Sequence, residues 1–89
     1  MSDGRKRYLV LAWRTEGFDA AVIAPHHAHL DALRDQGRLE LAGPFSDRSG
    51  GAYVVRADDL AEAESIAFAD PLHTTGASDV TVHEWNAAP

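Results

Sequence analysis

Short apolar runs separated by turn-forming residues dominate the chain, and they predict strands. Residues 7–13 (RYLVLAW) are apolar in both alternating sets, which is typical of a strand covered on both faces. Residues 38–45 (RLELAGPF), 51–57 (GAYVVRA) and 80–85 (VTVHEW) predict further strands. Residues 46–50 (SDRSG) have turn chemistry, so the second and third strands are expected to form a hairpin.

The segment between the first two strands predicts a helix that ends at Gly37. Leu30 and Leu33 lie three residues apart and therefore face the same side of a helix. Pro25 suits the first turn, where its missing N–H has no helical partner, and Gly37 suits a left-handed C-terminal cap. Residues 18–23 are open to two interpretations: an earlier turn of this helix interrupted near Pro25, or a packed loop.

A second helix is predicted after the third strand. Asp59 followed by Glu62 forms a capping box, which marks a helix start. Pro71 disfavours helical geometry in the residue before it, so the helix is expected to stop near Asp70. Residues 74–76 then predict a loop before the last strand.

The resulting order, β-α-β-β-α-β, predicts an α+β fold of the ferredoxin-like, split βαβ type. Its four-stranded antiparallel sheet would carry both helices on one face. We expect one domain over residues 7–86, with a flexible N-terminus over 1–6 and a tail over 87–89. Because the first and third strands also offer apolar side chains to the other face, a homodimer formed face to face is expected.

Composition narrows the function classes. The chain has 89 residues and no cysteine, which excludes thiol nucleophiles, iron–sulfur clusters and thiolate zinc sites. A net charge of −6 with dispersed basic residues argues against a nucleic-acid partner. Apolar runs are much shorter than the roughly 20 residues that span a bilayer, and no signal-peptide core is present. We therefore expect a cytoplasmic protein without a membrane partner.

Three segments carry a resemblance to a known family. They are His29-Leu30-x-x-Leu33 with Gly37-Arg38-Leu39-x-x-Ala42-Gly43-Pro44, then Leu60 to Asp70-Pro71, then Val80 to Asn86. In order and spacing they resemble the YciI-like family, which is similar to muconolactone isomerases. The resemblance implies a dimeric α/β barrel, in agreement with the face-to-face dimer expected from the strand pattern.

The resemblance also implies a histidine–aspartate site, which falls on His29 and Asp70. Some family members show an Asp-Pro-x-His pattern, which here ends at His73. His26 and His27 compete with His29, but the Gly-Arg-Leu register after the helix favours His29. A carboxylate that fixes the tautomer of an adjacent imidazole suits proton transfer. His29 and Asp70 are thus the predicted catalytic pair, and His73 and His26 are possible additional site residues.

Other interpretations of these residues remain open. Asp70 could simply begin an Asp-Pro turn, and His29 could be a packing residue bonded to a backbone carbonyl. A metal bound by His26, His29, Asp70 and His73 is a weaker alternative, and neither a metal nor a cofactor is expected. Trp13, Tyr53 and Trp85 could line a ligand pocket or belong to the core or dimer interface.

The sequence therefore favours a small dimeric enzyme that transfers protons on a small organic substrate, as an isomerase, lyase or dehalogenase does. An acidic or lactone-like substrate is implied by the resemblance, and Arg38, Arg14 or Arg56 could bind such an anion. The main alternative is a non-catalytic dimer that binds a small ligand in the same pocket. A monooxygenase-like activity, suggested by fold analogy alone, is weaker.

Overall fold

The computed structural model describes residues 5–89, which form a four-stranded antiparallel sheet covered on one face by helices. The elements in chain order are β1 (Lys6–Arg14), a short 3-10 helix (Ala20–Val22), α1 (Ile23–Asp35), β2 (Leu39–Pro44), β3 (Gly50–Ala57), α2 (Leu60–Phe68), α3 (Pro71–Thr74) and β4 (Ser78–Glu84). The strands lie in the order β2-β3-β1-β4, with β1 and β3 at the centre. The predicted ferredoxin-like fold is confirmed.

The core lies between the sheet and the helices. Side chains alternate between the two faces of each strand, so every second residue of a strand points into the core. Tyr8, Val10 and Ala12 of β1 point towards the helices and are at most 3% exposed. Tyr8 pairs with Val55 of β3 across the sheet, so the two central strands supply the floor of the core. Leucines and alanines of α1 and α2 cover that floor: Leu30, Leu33, Ala63 and Ala67.

Local signals set both ends of α1. Asp19 caps the 3-10 helix by accepting a hydrogen bond from the Ala21 N–H at 2.9 Å, so residues 20–22 form an extra turn that leads directly into α1. At the other end Gly37 has a φ of 72°, as predicted. The Arg38 N–H donates to the Leu33 carbonyl at 2.9 Å, which completes a Schellman cap.

Helix α2 begins with the predicted cap. Arg38 makes a structural contact with the same residues. Asp59 accepts from the Glu62 N–H at 2.8 Å, while the Glu62 carboxylate accepts from the Asp58 N–H at 3.2 Å. Arg38 donates to the same carboxylate at 2.6 Å and holds the pKa of Glu62 below its usual value. The Arg38 guanidinium therefore joins the end of α1 to the start of α2.

Helix α3 is not predicted from the sequence, because Pro71 indicates only the end of the preceding helix. Asp70 has an extended backbone and caps α3 by accepting from the Leu72 N–H at 2.9 Å. Pro71 occupies the first helical position, which needs no N–H donor. The same Asp-Pro pair thus ends α2 and begins α3.

The face of the sheet opposite the helices is apolar and open. Leu9 and Leu11 of β1 are half-buried there, and Leu41 of β2 is 67% exposed. Trp13 is 44% exposed and packs against Phe45 with ring centroids 5.1 Å apart. The second apolar set of β1, predicted to be covered, is therefore not covered within one chain.

The chain ends are simple. The predicted flexible segment 1–6 lies largely outside the described residues, although Lys6 within it already belongs to β1. Residues 85–89 follow β4 without regular structure. Within residues 5–89, no helix is both long and apolar enough to cross a membrane.

Gly50→Ala tests the close approach of β3 to β1. A Cβ at Gly50 would overlap the Ala12 carbonyl oxygen and lie 3.0 Å from the Trp13 Cα, and both neighbours are backbone that cannot swing aside. We expect Gly50→Ala to lower the free energy of unfolding by about 1–3 kcal/mol in urea titrations. Gly17→Ala is the control, because its Cβ would make ordinary 3.5 Å contacts. Equal stability of the two variants would contradict the prediction.

Candidate functional site

A cavity of about 550 Å³ opens between one side of α1, the end of β1, the start of β4, and the β2–β3 hairpin. Its walls are mostly apolar, with Phe18, Leu30 and Leu72 among the lining residues. Its polar and charged lining residues are Arg14, His26, His27, Asp31, Arg34, Tyr53 and Ser78. An apolar cleft with a few polar groups is the usual form of a small-molecule site.

Asp70 lies directly behind the wall of this cavity and is fully buried. Its position as the cap of α3 fixes the carboxylate, since Oδ1 accepts from the Leu72 N–H at 2.9 Å. Oδ2 accepts from the Tyr53 hydroxyl at 3.1 Å. Tyr53 projects from β3 towards the helices, so strand alternation brings its hydroxyl to the carboxylate.

His26 completes the contacts of Asp70. Its Nδ1 lies 2.8 Å from Asp70 Oδ2 and 3.0 Å from Oδ1. An ionised carboxylate can only accept hydrogen bonds, so Nδ1 is the donor, and a neutral ring then carries its lone pair on Nε2. No described residue, from 5 to 89, is hydrogen-bonded to Nε2. His26 lines the cavity, and its side chain is 16% exposed.

The electrostatics favour an ionised Asp70 and a neutral Tyr53. Burial raises the pKa of Asp70, but the donors from His26, Leu72 and Tyr53 outweigh it, and the pKa lies below its usual value. Burial and the adjacent Asp70 charge both raise the pKa of the Tyr53 hydroxyl, which therefore remains a donor at neutral pH. Asp70 is thus a fixed negative charge against one edge of the His26 ring.

The predicted contact between His29 and Asp70 is replaced by one between His26 and Asp70. His29 Nε2 instead donates to the Ile66 carbonyl oxygen at 3.0 Å, which ties α1 to α2. This is the packing alternative considered from the sequence. The physical reason is position along α1: His26 lies one turn nearer its N-terminus, at the end of the helical layer where α3 begins.

Three other predicted residues, His73, Arg38 and Arg56, are not among those that line the cavity. His73 is exposed and packs against Phe68, with ring centroids 4.6 Å apart. Arg38 is held by Glu62, and Arg56 lies 3.5 Å from Glu40. Of the arginines suggested for anion binding, Arg14 alone is among the lining residues.

Two polar residues of the site had weaker or no sequence signals. Tyr53 was recognised only as a core or pocket aromatic, and its hydroxyl contact with Asp70 depends on the fold. Ser78 was not singled out, since a serine beside a strand carries no chemical signature.

Among residues 5–89, no three His, Cys, Asp or Glu side chains converge as a metal site would require.

Comparisons with known proteins agree with this architecture. A family model described as the YCII-related domain matches residues 7–86. An uncharacterized protein, YjpA, from Bacillus subtilis (strain 168) is 50% identical over 78 residues, which are 88% of this chain and 92% of that protein.

Among solved structures, the chain is similar to 5-chloro-2-hydroxyhydroquinone dehydrochlorinase (TftG) from Burkholderia phenoliruptrix AC1100, in complex with 2,5-dihydroxybenzoquinone. The TM-score is 0.73 over 92% of this chain and 95% of that one, and the sequence identity is 18%. At that identity the likeness shows a shared fold. The family-model match over residues 7–86 and the 50% identity to YjpA show the family: the chain belongs to the YCII-related domain family.

Proposed function

We propose that this protein is a small acid–base enzyme in which His26 transfers a proton and Asp70 positions its ring. One observation carries the proposal: the Asp70 carboxylate occupies Nδ1 of a histidine that lines the cavity and whose Nε2 has no hydrogen-bond partner among residues 5–89. That arrangement leaves a basic nitrogen available to a bound molecule. His29, the histidine favoured by the sequence, is committed to the Ile66 carbonyl and takes no part in this mechanism.

The chemistry follows from the hydrogen bonds. Nε2 of His26 removes a proton from a substrate carbon or hydroxyl, and the imidazolium that forms is stabilised by the Asp70 charge. The same nitrogen then returns the proton to another substrate atom, which gives isomerisation, or to a departing group, which gives elimination. Tyr53 and the Leu72 N–H hold the carboxylate still while the ring charges and discharges.

The cavity limits the substrate to a small organic molecule. A volume of about 550 Å³ with mainly apolar walls lies within the usual range of small-molecule sites. The structurally similar dehydrochlorinase acts on a substituted hydroquinone according to its name, and loss of HCl is an elimination. Small chlorinated hydroquinones and lactones are therefore reasonable first substrates to try.

A face-to-face homodimer is the second part of the proposal. Support comes from the open face of the sheet, where Leu41 is 67% exposed and Trp13 is 44% exposed beside half-buried Leu9 and Leu11. A continuous apolar sheet face of this kind is unusual in a monomer. A second copy would cover it without changing the helical face that forms the cavity.

The tautomers of two histidines give a direct test of the site. In ¹⁵N-detected NMR at a pH where the rings are neutral, we expect His26 to carry its proton on Nδ1, because Asp70 accepts it, and His29 on Nε2, because Ile66 does. Asp70→Asn should change the ¹⁵N chemical shifts of the His26 ring and leave those of the His29 ring unchanged. An Nε2-protonated His26 in the wild-type protein would contradict the proposed site.

Turnover separates the two histidines functionally. For any of the small chlorinated hydroquinones or lactones that the wild-type protein converts, we expect His26→Gln to lower kcat by about 10²–10⁴-fold, the range of general acid–base catalysis. His29→Gln is the matched control and should change kcat only a few fold. Full activity of His26→Gln would overturn the proposal, and tight binding of one of these compounds without conversion would favour the non-catalytic ligand-binding alternative.

Sedimentation equilibrium tests the dimer. Leu41→Lys places a charge on the open sheet face and should shift a wild-type dimer towards monomer at micromolar concentration. Leu60→Lys is the control, because Leu60 is also 45% exposed but lies on α2, on the helical side of the sheet. A monomeric wild-type protein, or equal association of the two variants, would contradict the prediction.

A further inference from the structure

Arg14 and Ser78 form a polar pair at one end of the cavity. They are directly opposite each other in the β1–β4 ladder, and both are among the lining residues. Opposed residues on antiparallel strands have Cβ atoms about 5 Å apart and point to the same face. Alternation from buried Tyr8, Val10 and Ala12 puts that face towards the helices, where His26 lies.

The Ser78 hydroxyl is buried without a partner. Ser78 is 5% exposed, and its Oγ is the buried side-chain polar atom in residues 5–89 for which no hydrogen bond exists. Buried hydroxyls are almost always satisfied, because an unmade hydrogen bond costs stability. An unsatisfied Oγ on a cavity wall therefore indicates a polar atom of a bound molecule as its partner.

Arg14 is a cation available to that molecule. Four other guanidinium groups are engaged by carboxylates: Arg7 by Glu40, Arg34 by Asp31, Arg38 by Glu62 and Arg56 by Glu40. Within residues 5–89, no carboxylate lies within ion-pair distance of the Arg14 guanidinium. Its carbon Cζ lies 4.1 Å from the centroid of Phe18, so the group is supported by an aromatic ring.

We propose that Arg14 and Ser78 bind a carboxylate group of the substrate. The Arg14 guanidinium lies over the Phe18 ring and has no carboxylate partner within residues 5–89, and its paired N–H donors match the two oxygens of a carboxylate. The Ser78 hydroxyl donates the remaining hydrogen bond. The inference rests on the proposed function in taking the cavity as the substrate site, and it adds the class of substrate: a compact apolar body that carries a carboxylate.

The net charge of the chain gives a local cation at the cavity a further role. At −6 the protein disfavours anions in general, so a positive group in the cavity would favour binding of a carboxylate there. In this arrangement the carboxylate end lies at Arg14, and the apolar body extends along the cavity to His26. Arg14 then determines which molecules bind, whereas His26 acts on the bound molecule.

Benzoate and its neutral isostere benzamide test the subsite by NMR titration of the full chain at pH 7.5. We expect benzoate to bind the wild-type protein at least about tenfold more tightly than benzamide, with shifts at residues around the cavity. Arg14→Gln should abolish this preference. Arg14→Lys should keep part of it, because the charge remains but the two-pronged donor is lost.

Lys6→Gln is the control for net charge. Lys6 lies at the other end of β1 and pairs with Glu84 at 3.3 Å, so its loss changes the total charge by the same amount without touching the cavity. This variant should bind benzoate as the wild type does. Ser78→Ala should weaken benzoate binding severalfold.

Each outcome separates this inference from the proposed function. Undetectable benzoate binding, an unchanged preference in a folded Arg14→Gln variant, or inorganic phosphate that competes with benzoate at equal affinity would overturn the carboxylate subsite. None of these results bears on turnover by His26. Conversely, a wild-type protein that binds benzoate with the expected preference but converts none of the tested compounds would contradict the acid–base mechanism and leave the Arg14 result standing.

Discussion

Asp70 accepts hydrogen bonds from three separate elements: His26 of α1, Tyr53 of β3 and the first turn of α3 through the Leu72 N–H. A fully buried carboxylate is stable only if its charge is compensated in this way. Each donor is set by a different local rule, namely helix position, strand alternation and N-terminal capping. The packing of α1 and α3 on the sheet is therefore constrained by one charged group.

The same constraint gives the site its rigidity. His26 cannot rotate without leaving Asp70 under-satisfied, and Tyr53 cannot ionise easily beside that charge. The ring of His26 is consequently held at the cavity wall before any molecule binds. Proton transfer depends on such preorganisation, because each ångström of misplacement weakens a positioned base.

Arg14 and Ser78 contrast with this saturated group. Asp70 has its hydrogen-bonding capacity met by protein donors, whereas Ser78 Oγ lacks a partner within residues 5–89. At the His26 end the Asp70 carboxylate is hydrogen-bonded by protein donors, whereas at the other end Arg14 and the Ser78 hydroxyl can bind a ligand. This difference supports separate roles for the two ends in chemistry and in recognition.

Local signals in the sequence were sufficient for most of the fold. The strands, the hairpin, the Gly37 cap and the Asp59 cap depend on neighbouring residues, and all were predicted within one or two positions. Helix α3 was missed because Pro71 both ends one helix and begins another.

The site was less predictable because it depends on contacts between distant segments. Asp70 was recognised, but the choice between His26 and His29 depends on which turn of α1 meets α3. Those residues are three positions apart, so both face the core side and the sequence pattern alone does not separate them. The Tyr53 contact and the unpartnered Ser78 hydroxyl likewise arise only when the strands are assembled.

The Asp70 carboxylate also links the acid tolerance of the fold to the candidate site. Its pKa is lower in the folded chain than the ordinary 3.8, so the folded state binds fewer protons than the unfolded chain as the pH falls through that range. The stabilisation is complete above about pH 4 and is lost as Asp70 takes up a proton at lower pH. Protonation would weaken the bonds to α1, β3 and α3 together, so acid would loosen the helical layer and release the His26 ring in the same event.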